Sequence, residues 1–178
     1  MRKVKKFKLT SEFIVDISGV KLFRIKALIE FGNVKAGDLG GYIEKEENLS
    51  HMGNAWVSGN AQVSGDARVS GDARVSGNAQ VSGDARVSGN ARVSGDAQVF
   101  GDARVSGDKD YAYAHGFGSC NRTTTFFRLK DGDVGVRCGC FYGTLAQFRD
   151  NVCETHGETK KAQEYLMLAD LMDFRFKN

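Results

Sequence analysis

Residues 55–108 read AWVSGN AQVSGD ARVSGD ARVSGN AQVSGD ARVSGN ARVSGD AQVFGD ARVSGD, nine six-residue units without insertion or slip. A period of six is too short for helical solenoids or propeller blades. Glycine in every unit excludes a continuous helix, since each costs about 1 kcal/mol relative to alanine. Collagen would need glycine at every third residue. A β-solenoid fits. Val57, Val63, Val69, Val75, Val81, Val87, Val93, Val99 and Val105 point inward, with a small alanine two residues before each. Glycine followed by Asp or Asn suits the corners, because these residues tolerate positive φ.

If three units make one coil, identical side chains stack at 18-residue spacing, and they do. Gln62, Gln80 and Gln98 form one column and Arg68, Arg86 and Arg104 a second. Arg74 and Arg92 form a third, with Trp56 one coil below. Asp66, Asp84 and Asp102 precede the Arg68 column. Stacked strands lie about 4.8 Å apart, so like charges in a column repel unless neutralised. The repeat holds five Arg and six Asp, which read as ionic ladders on a solvated face. A phosphate-binding arginine stripe is the sharper alternative.

This motif resembles the hexapeptide family of left-handed parallel β-helices, in which three hexads make one triangular coil. The resemblance, and not the spacing, implies the left hand. The expected fold class is mainly β: a hexapeptide solenoid of about three regular coils, with N-terminal strands and a small C-terminal α+β module. Degenerate coils flank the clean ones. His51 stands in the valine slot before them, and Tyr111 and Phe117 stand in the next two slots after them. Large side chains there would plug the open end, as terminal repeats must.

The expected divisions are residues 1–42 as an N-terminal strand and capping segment, 43–118 as the solenoid and 119–178 as the module. In the first, Val4–Leu9, Phe13–Asp16 and Val20–Ile29 read as strands, with a turn at Ser18-Gly19. Gly37–Gly41 reads as a loop entering the first coil. It lacks the Lys-Ser/Thr ending of a phosphate-binding loop. The cluster Arg2, Lys3, Lys5, Lys6 and Lys8 reads as a solvated terminus, with an acidic partner as the alternative. In the module, Asp131-Gly132-Asp133 marks a hairpin. Thr144 and Gln147 form a capping box, and Leu145, Phe148 and Val152 form one helix face. Ala162, Tyr165, Leu166, Ala169 and Met172 mark a second helix.

Net charge over 178 residues is +3, too small for a strong field toward nucleic acid or membrane. No apolar run approaches the ~20 residues of a membrane span, and no apolar segment follows the basic start as in a signal peptide. Four cysteines without a secretory signal are expected as reduced thiols, and the location as cytoplasmic. Cys138, Cys140, Cys153 and His156 invite a zinc reading, but C-x-C is not the common ligand spacing. Cys138 and Cys140 read as core thiols and His156 as a helix-end residue. No metal or other cofactor is expected.

Many hexapeptide β-helix proteins are acyltransferases with a catalytic histidine projecting from a coil between subunits of a trimer. Here the nine hexads contain no histidine and no extruded loop; His51, His115 and His156 lie outside them. No nucleophile elbow or nucleotide fingerprint is present. A second resemblance rests on GNVKAGDLGGYIEKEENLSHMGNAWVSGNA and GCFYGTLAQFRDNVCETHG. These look like a phage- and prophage-associated group of hexapeptide proteins related to the Escherichia coli protein YdcK. That implies origin and architecture, without an activity.

The functional expectation is therefore non-enzymatic binding by a phage-type protein acting in the host cytosol. It would be an inhibitor of a host antiviral defence protein or a sponge for a small anionic nucleotide signal. An atypical acyltransferase is the alternative, and a structural self-assembling protein the third reading. A homotrimer is expected from the family resemblance and the C-terminal helices, with neither membrane nor sequence-specific DNA as partner. The candidate binding residues are Trp56, Arg74, Arg92, Phe100, Tyr111, Tyr113 and His115, chosen as exposed aromatics and stacked cations.

Overall fold

Backbone pairing at 18-residue intervals organises the molecule. A computed structural model describes residues 4–177. Its N-terminal strands are β1 (Phe7–Val15), β2 (Lys21–Ala27) and β3 (Leu39–Ile43), followed by a short 3-10 helix (Glu46–Asn48). Nine two-residue strands then carry the repeat: β4 (Trp56–Val57), β5 (Gln62–Val63), β6 (Arg68–Val69), β7 (Arg74–Val75), β8 (Gln80–Val81), β9 (Arg86–Val87), β10 (Arg92–Val93), β11 (Gln98–Val99) and β12 (Arg104–Val105). Four more strands, β13 (Tyr111–His115), β14 (Thr123–Arg128), β15 (Val134–Cys138) and β16 (Phe141–Thr144), precede α1 (Leu145–His156) and α2 (Lys160–Phe176).

The repeat strands stack in parallel as three columns, β4-β7-β10, β5-β8-β11 and β6-β9-β12. Gln62 faces Gln80, Arg68 faces Arg86 and Trp56 faces Arg74. The alanines and valines of the hexads are buried almost completely and form one continuous core. Corner glycines such as Gly77 have φ near +68°, and a Cβ there would sit 3.0 Å from the backbone of Gly95 in the next coil. Both the dihedral and the close approach require glycine.

The solenoid has about four turns, one more than the clean repeat alone supplies. β3 pairs in parallel with β5, placing Ile43 beside Val63, and Leu49 bridges to Val69. Ile43, Leu49 and Val57 therefore make a first coil with two extra residues after Leu49. Leu49, not His51, fills the inward slot and is buried. β3 also crosses the division expected at residue 42. Gly40 and Gly41 lie within this strand rather than in an entry loop. Their Cβ atoms would fall 2.6 Å from the carbonyls of Val57 and Ala61, so glycine serves close packing here.

Tyr111 continues the core at the far end, where burial raises the pKa of its hydroxyl. Phe117 does not follow it: its ring is exposed. Phe127 and Leu129 cover the end instead, because the chain leaves the coil after Tyr111 and returns antiparallel through β14. β13–β16 form an antiparallel sheet in chain order, and α1 and α2 cover it around a second core that includes Phe126, Phe148 and Tyr165. Thr144 caps α1 reciprocally with Gln147. None of the described helices is long and apolar enough to cross a membrane.

Replacing Leu49 by alanine should lower unfolding free energy by roughly 2–5 kcal/mol, the cost of a cavity in a closed core. Urea denaturation reads this directly. A loss below about 1 kcal/mol would place Leu49 outside the first coil.

Candidate functional site

A parallel stack leaves backbone groups without partners at its two ends. Inside the solenoid the Ala73 and Ala91 carbonyls accept from Trp56 and Arg74 amides one coil below. The equivalent Ala55 carbonyl has no coil beneath it. The Lys6 ammonium donates to it at 2.7 Å and to the Gly53 carbonyl at 3.3 Å. On the neighbouring column the Asn48 side-chain amide donates to Gly65 and Ala67 carbonyls at 3.0 and 2.9 Å. At the far end the Asp108 carboxylate accepts from the Arg92 amide and the Thr125 hydroxyl from the Gln98 amide, both at 2.9 Å. Lys6, Asp108 and Thr125 thus stand in for missing coils, and the Asn48 side chain stands in for its own backbone amide, which donates to Lys45 instead.

Lys6 belonged to the cluster read as a solvated terminus, yet it is buried beneath the first coil, 4.6 Å from the Phe31 ring centre. Burial lowers its pKa from 10.5 to about 8, with Asp72 acting in the opposite direction. Arg2 and Lys3 lie outside the described residues.

This N-terminal anchoring builds a groove of about 950 Å³ along the Arg68–Arg86 face. Arg68, Ser70, Arg86 and Ser88 line it from the solenoid, with Val4, Ile29, His51 and Met52 alongside. Arg68 and Arg86 are exposed and adjacent in register. The ionic ladders expected from the repeat do not form. Among the described residues, no solenoid arginine has a carboxylate within 4.0 Å. Three of the corner acids are engaged elsewhere: Asp72 accepts from Asn54, Asp96 from Asn78, and Asp66 pairs with Lys45. Val4 and Met52 present apolar surface on the same groove. Glu46 and exposed Glu47 also line it; Glu46 is held by Lys5 and His51, at 2.8 and 2.7 Å, and the Lys5 hydrogen bond chiefly lowers its pKa, while Glu47 lies more than 4.0 Å from either guanidinium.

His51 is fixed rather than free. Its Nδ1 accepts from the Lys6 amide at 3.1 Å, which leaves Nε2 to donate to Glu46. Its ring stacks on Phe7 at 4.4 Å. A base needs an open nitrogen, and here both are occupied.

The expected site residues do not converge on one surface. Trp56 is 4% exposed and meets Phe31 edge-on at 5.3 Å, so it is core and not contact surface. Tyr111 is likewise buried, its hydroxyl donating to the Arg92 carbonyl. Arg74 and Arg92 stack on that same face, Arg74 half-buried and Arg92 exposed. Phe100 packs edge-on to Tyr142 at 5.0 Å, beneath the Arg137 guanidinium. It joins the module to the solenoid and ends a second groove, about 510 Å³, lined by Gln62, Gln80 and Gln98. Tyr113 is exposed with its ring against the Gly95 corner. His115 is also exposed and hydrogen-bonds Thr123 at 2.9 Å.

Cys138 accepts from the Thr124 hydroxyl at 3.2 Å and lies 3.7 Å from the Tyr165 hydroxyl. It is half-buried, whereas Cys140 is exposed and so is not a core thiol. Among the described residues, no three His, Cys, Asp or Glu side chains converge for a metal ion.

The hexads match the model of the YdcK β-solenoid repeat at residues 61–77, 67–83, 79–95, 85–99 and 97–108. Over residues 61–108 the chain is a β-solenoid similar to the YdcK repeat. The match spans the columns bearing Arg68 and Arg86, while the groove's N-terminal wall lies outside it. No curated protein matches the chain.

The Lys6 cap predicts a pH signature. Between about pH 8 and 10.5 the unfolded chain holds a proton that the folded chain has released, so stability rises with pH through this window. The gain is about 3 kcal/mol at most. Urea unfolding of wild type and Lys6→Met across that range should show their difference shifting toward wild type as pH rises. A pH-independent difference would contradict a Lys6 whose pKa is lowered by burial in the folded chain.

Proposed function

We propose that this protein binds a small organic anion without transforming it, using the Arg68–Arg86 groove. The carrying observation is the pair of exposed, unpaired guanidinium groups stacked one coil apart beside apolar Val4 and Met52. Stacked arginines without counterions attract phosphate, and Arg forms directed, charge-assisted bonds to it. The Ser70 and Ser88 hydroxyls lie on the same strip. An apolar wall beside these groups suits a base or another flat organic portion. A nucleotide has both parts.

The phage-type origin implied by the sequence resemblance gives such capture a purpose: removing a nucleotide signal from the host cytosol. Capping at both ends of the solenoid argues against end-to-end polymerisation as its main role. The occupied ring nitrogens of His51 weigh against the acyltransferase alternative. Exposed Tyr113 and Phe117 favour, as the second reading, a host defence protein docking near the solenoid–module junction.

Isothermal titration calorimetry with adenosine monophosphate, a cyclic dinucleotide, adenosine and inorganic phosphate separates these readings. A phosphate-bearing nucleotide should bind more tightly than either adenosine or phosphate. Arg68→Gln and Arg86→Gln should each weaken it by roughly tenfold or more, and added salt should weaken it further. Absence of heat with every anion, or unchanged affinity in both variants, would overturn the proposal.

A further inference from the structure

Helix α2 has two apolar faces, and the module uses only one. Tyr165, Ala169, Met172 and Phe176 are buried against α1 and the sheet. On the opposite side Met167, Leu171 and Phe174 are 70%, 56% and 75% exposed. Their spacing of four and then three residues is that of alternating core positions in a coiled coil. Three large apolar side chains in a row on one helix form a patch, unlike scattered surface leucines.

We propose that this face packs against α2 of a second copy of the chain, with the two helices parallel. The flanking charges select both partner and direction. Asp170 immediately precedes Leu171 and Arg175 immediately follows Phe174, so they border the seam on its two sides. In a parallel pair, Asp170 of one copy faces Arg175 of the other, five residues on. An antiparallel pair would set Asp170 against Asp170 and Arg175 against Arg175. The Asp170 side chain ion-pairs with Arg149 on α1 and stays 70% exposed. The Arg175 guanidinium reaches the Asp108 carbonyl at 3.2 Å, keeping it at the end of α2 nearest the solenoid. The seam is short, so association depends on concentration. A stable interface usually covers about 800 Å² per partner, more than three side chains supply.

Sedimentation velocity of the full chain tests this. The wild-type mass should rise with concentration toward two or more chains, and Leu171→Glu should remain monomeric while melting as wild type does by circular dichroism. Charge reversal tests the direction. Asp170→Arg alone and Arg175→Asp alone should each associate less, and a mixture of the two variants should recover association. A wild-type chain that stays monomeric at about 500 µM, a concentration far above micromolar affinities, would overturn the proposal. So would an assembly unaffected by Leu171→Glu. Failure of the mixture to recover would overturn the parallel arrangement.

Discussion

The backbone hydrogen bond from one coil to the next, repeated every 18 residues, is the constraint on which the rest of the structure depends. Each strand of the repeat is two residues long, too short to be stable by itself. It persists because the coils above and below complete its pairing and bury its alanine and valine. The stack must also end. Where the ladder stops or is irregular, Lys6, Asn48, Asp108 and Thr125 supply the groups that a regular coil would have offered. Leaving a buried donor or acceptor without a partner costs about 1–3 kcal/mol, so these side chains are required by the repeat.

The same periodicity produces the chemistry of the surface. A repeat that places arginine at a fixed position brings guanidinium groups together one coil apart. Electrostatics alone would oppose this, and the covalent register enforces it. Acids at the corners make no ion pair with these arginines among the described residues, and neighbouring asparagines and Lys45 engage three of them. The N-terminal segment anchored by Lys6 adds an apolar wall, converting an exposed ladder into a groove with two kinds of surface. The proposed recognition thus uses both the periodic face and the irregular segment folded against it.

The solenoid was legible because its side-chain period matches its geometry, and glutamine and arginine repeat with the coil. The hairpin at Asp131–Asp133 and the Thr144-capped helix carried equally local signals. Long-range contacts were less legible. Leu49 and His51 both stand near the first coil, and only the two-residue insertion after Leu49 decides which enters it. Gly40 and Gly41 suggested a loop, whereas close carbonyls explain them. Trp56 shares a column with Arg74 but lies under Phe31, a residue 25 positions earlier. The Arg68 column was visible as a column; its lack of counterions depended on which corner acids bonded elsewhere. Lys6 gave no sign of burial, since its position within a basic run resembles a solvated tail. Its partners become apparent only when the chain closes over the first coil.

Native mass spectrometry of the protein purified from its host at low salt tests the binding role most directly. A phosphate-bearing molecule retained on the folded chain and released chemically unchanged on denaturation is the expected result. A bare chain that also takes up no nucleotide when these are supplied, or a bound molecule that returns with a group removed or transferred, would contradict it.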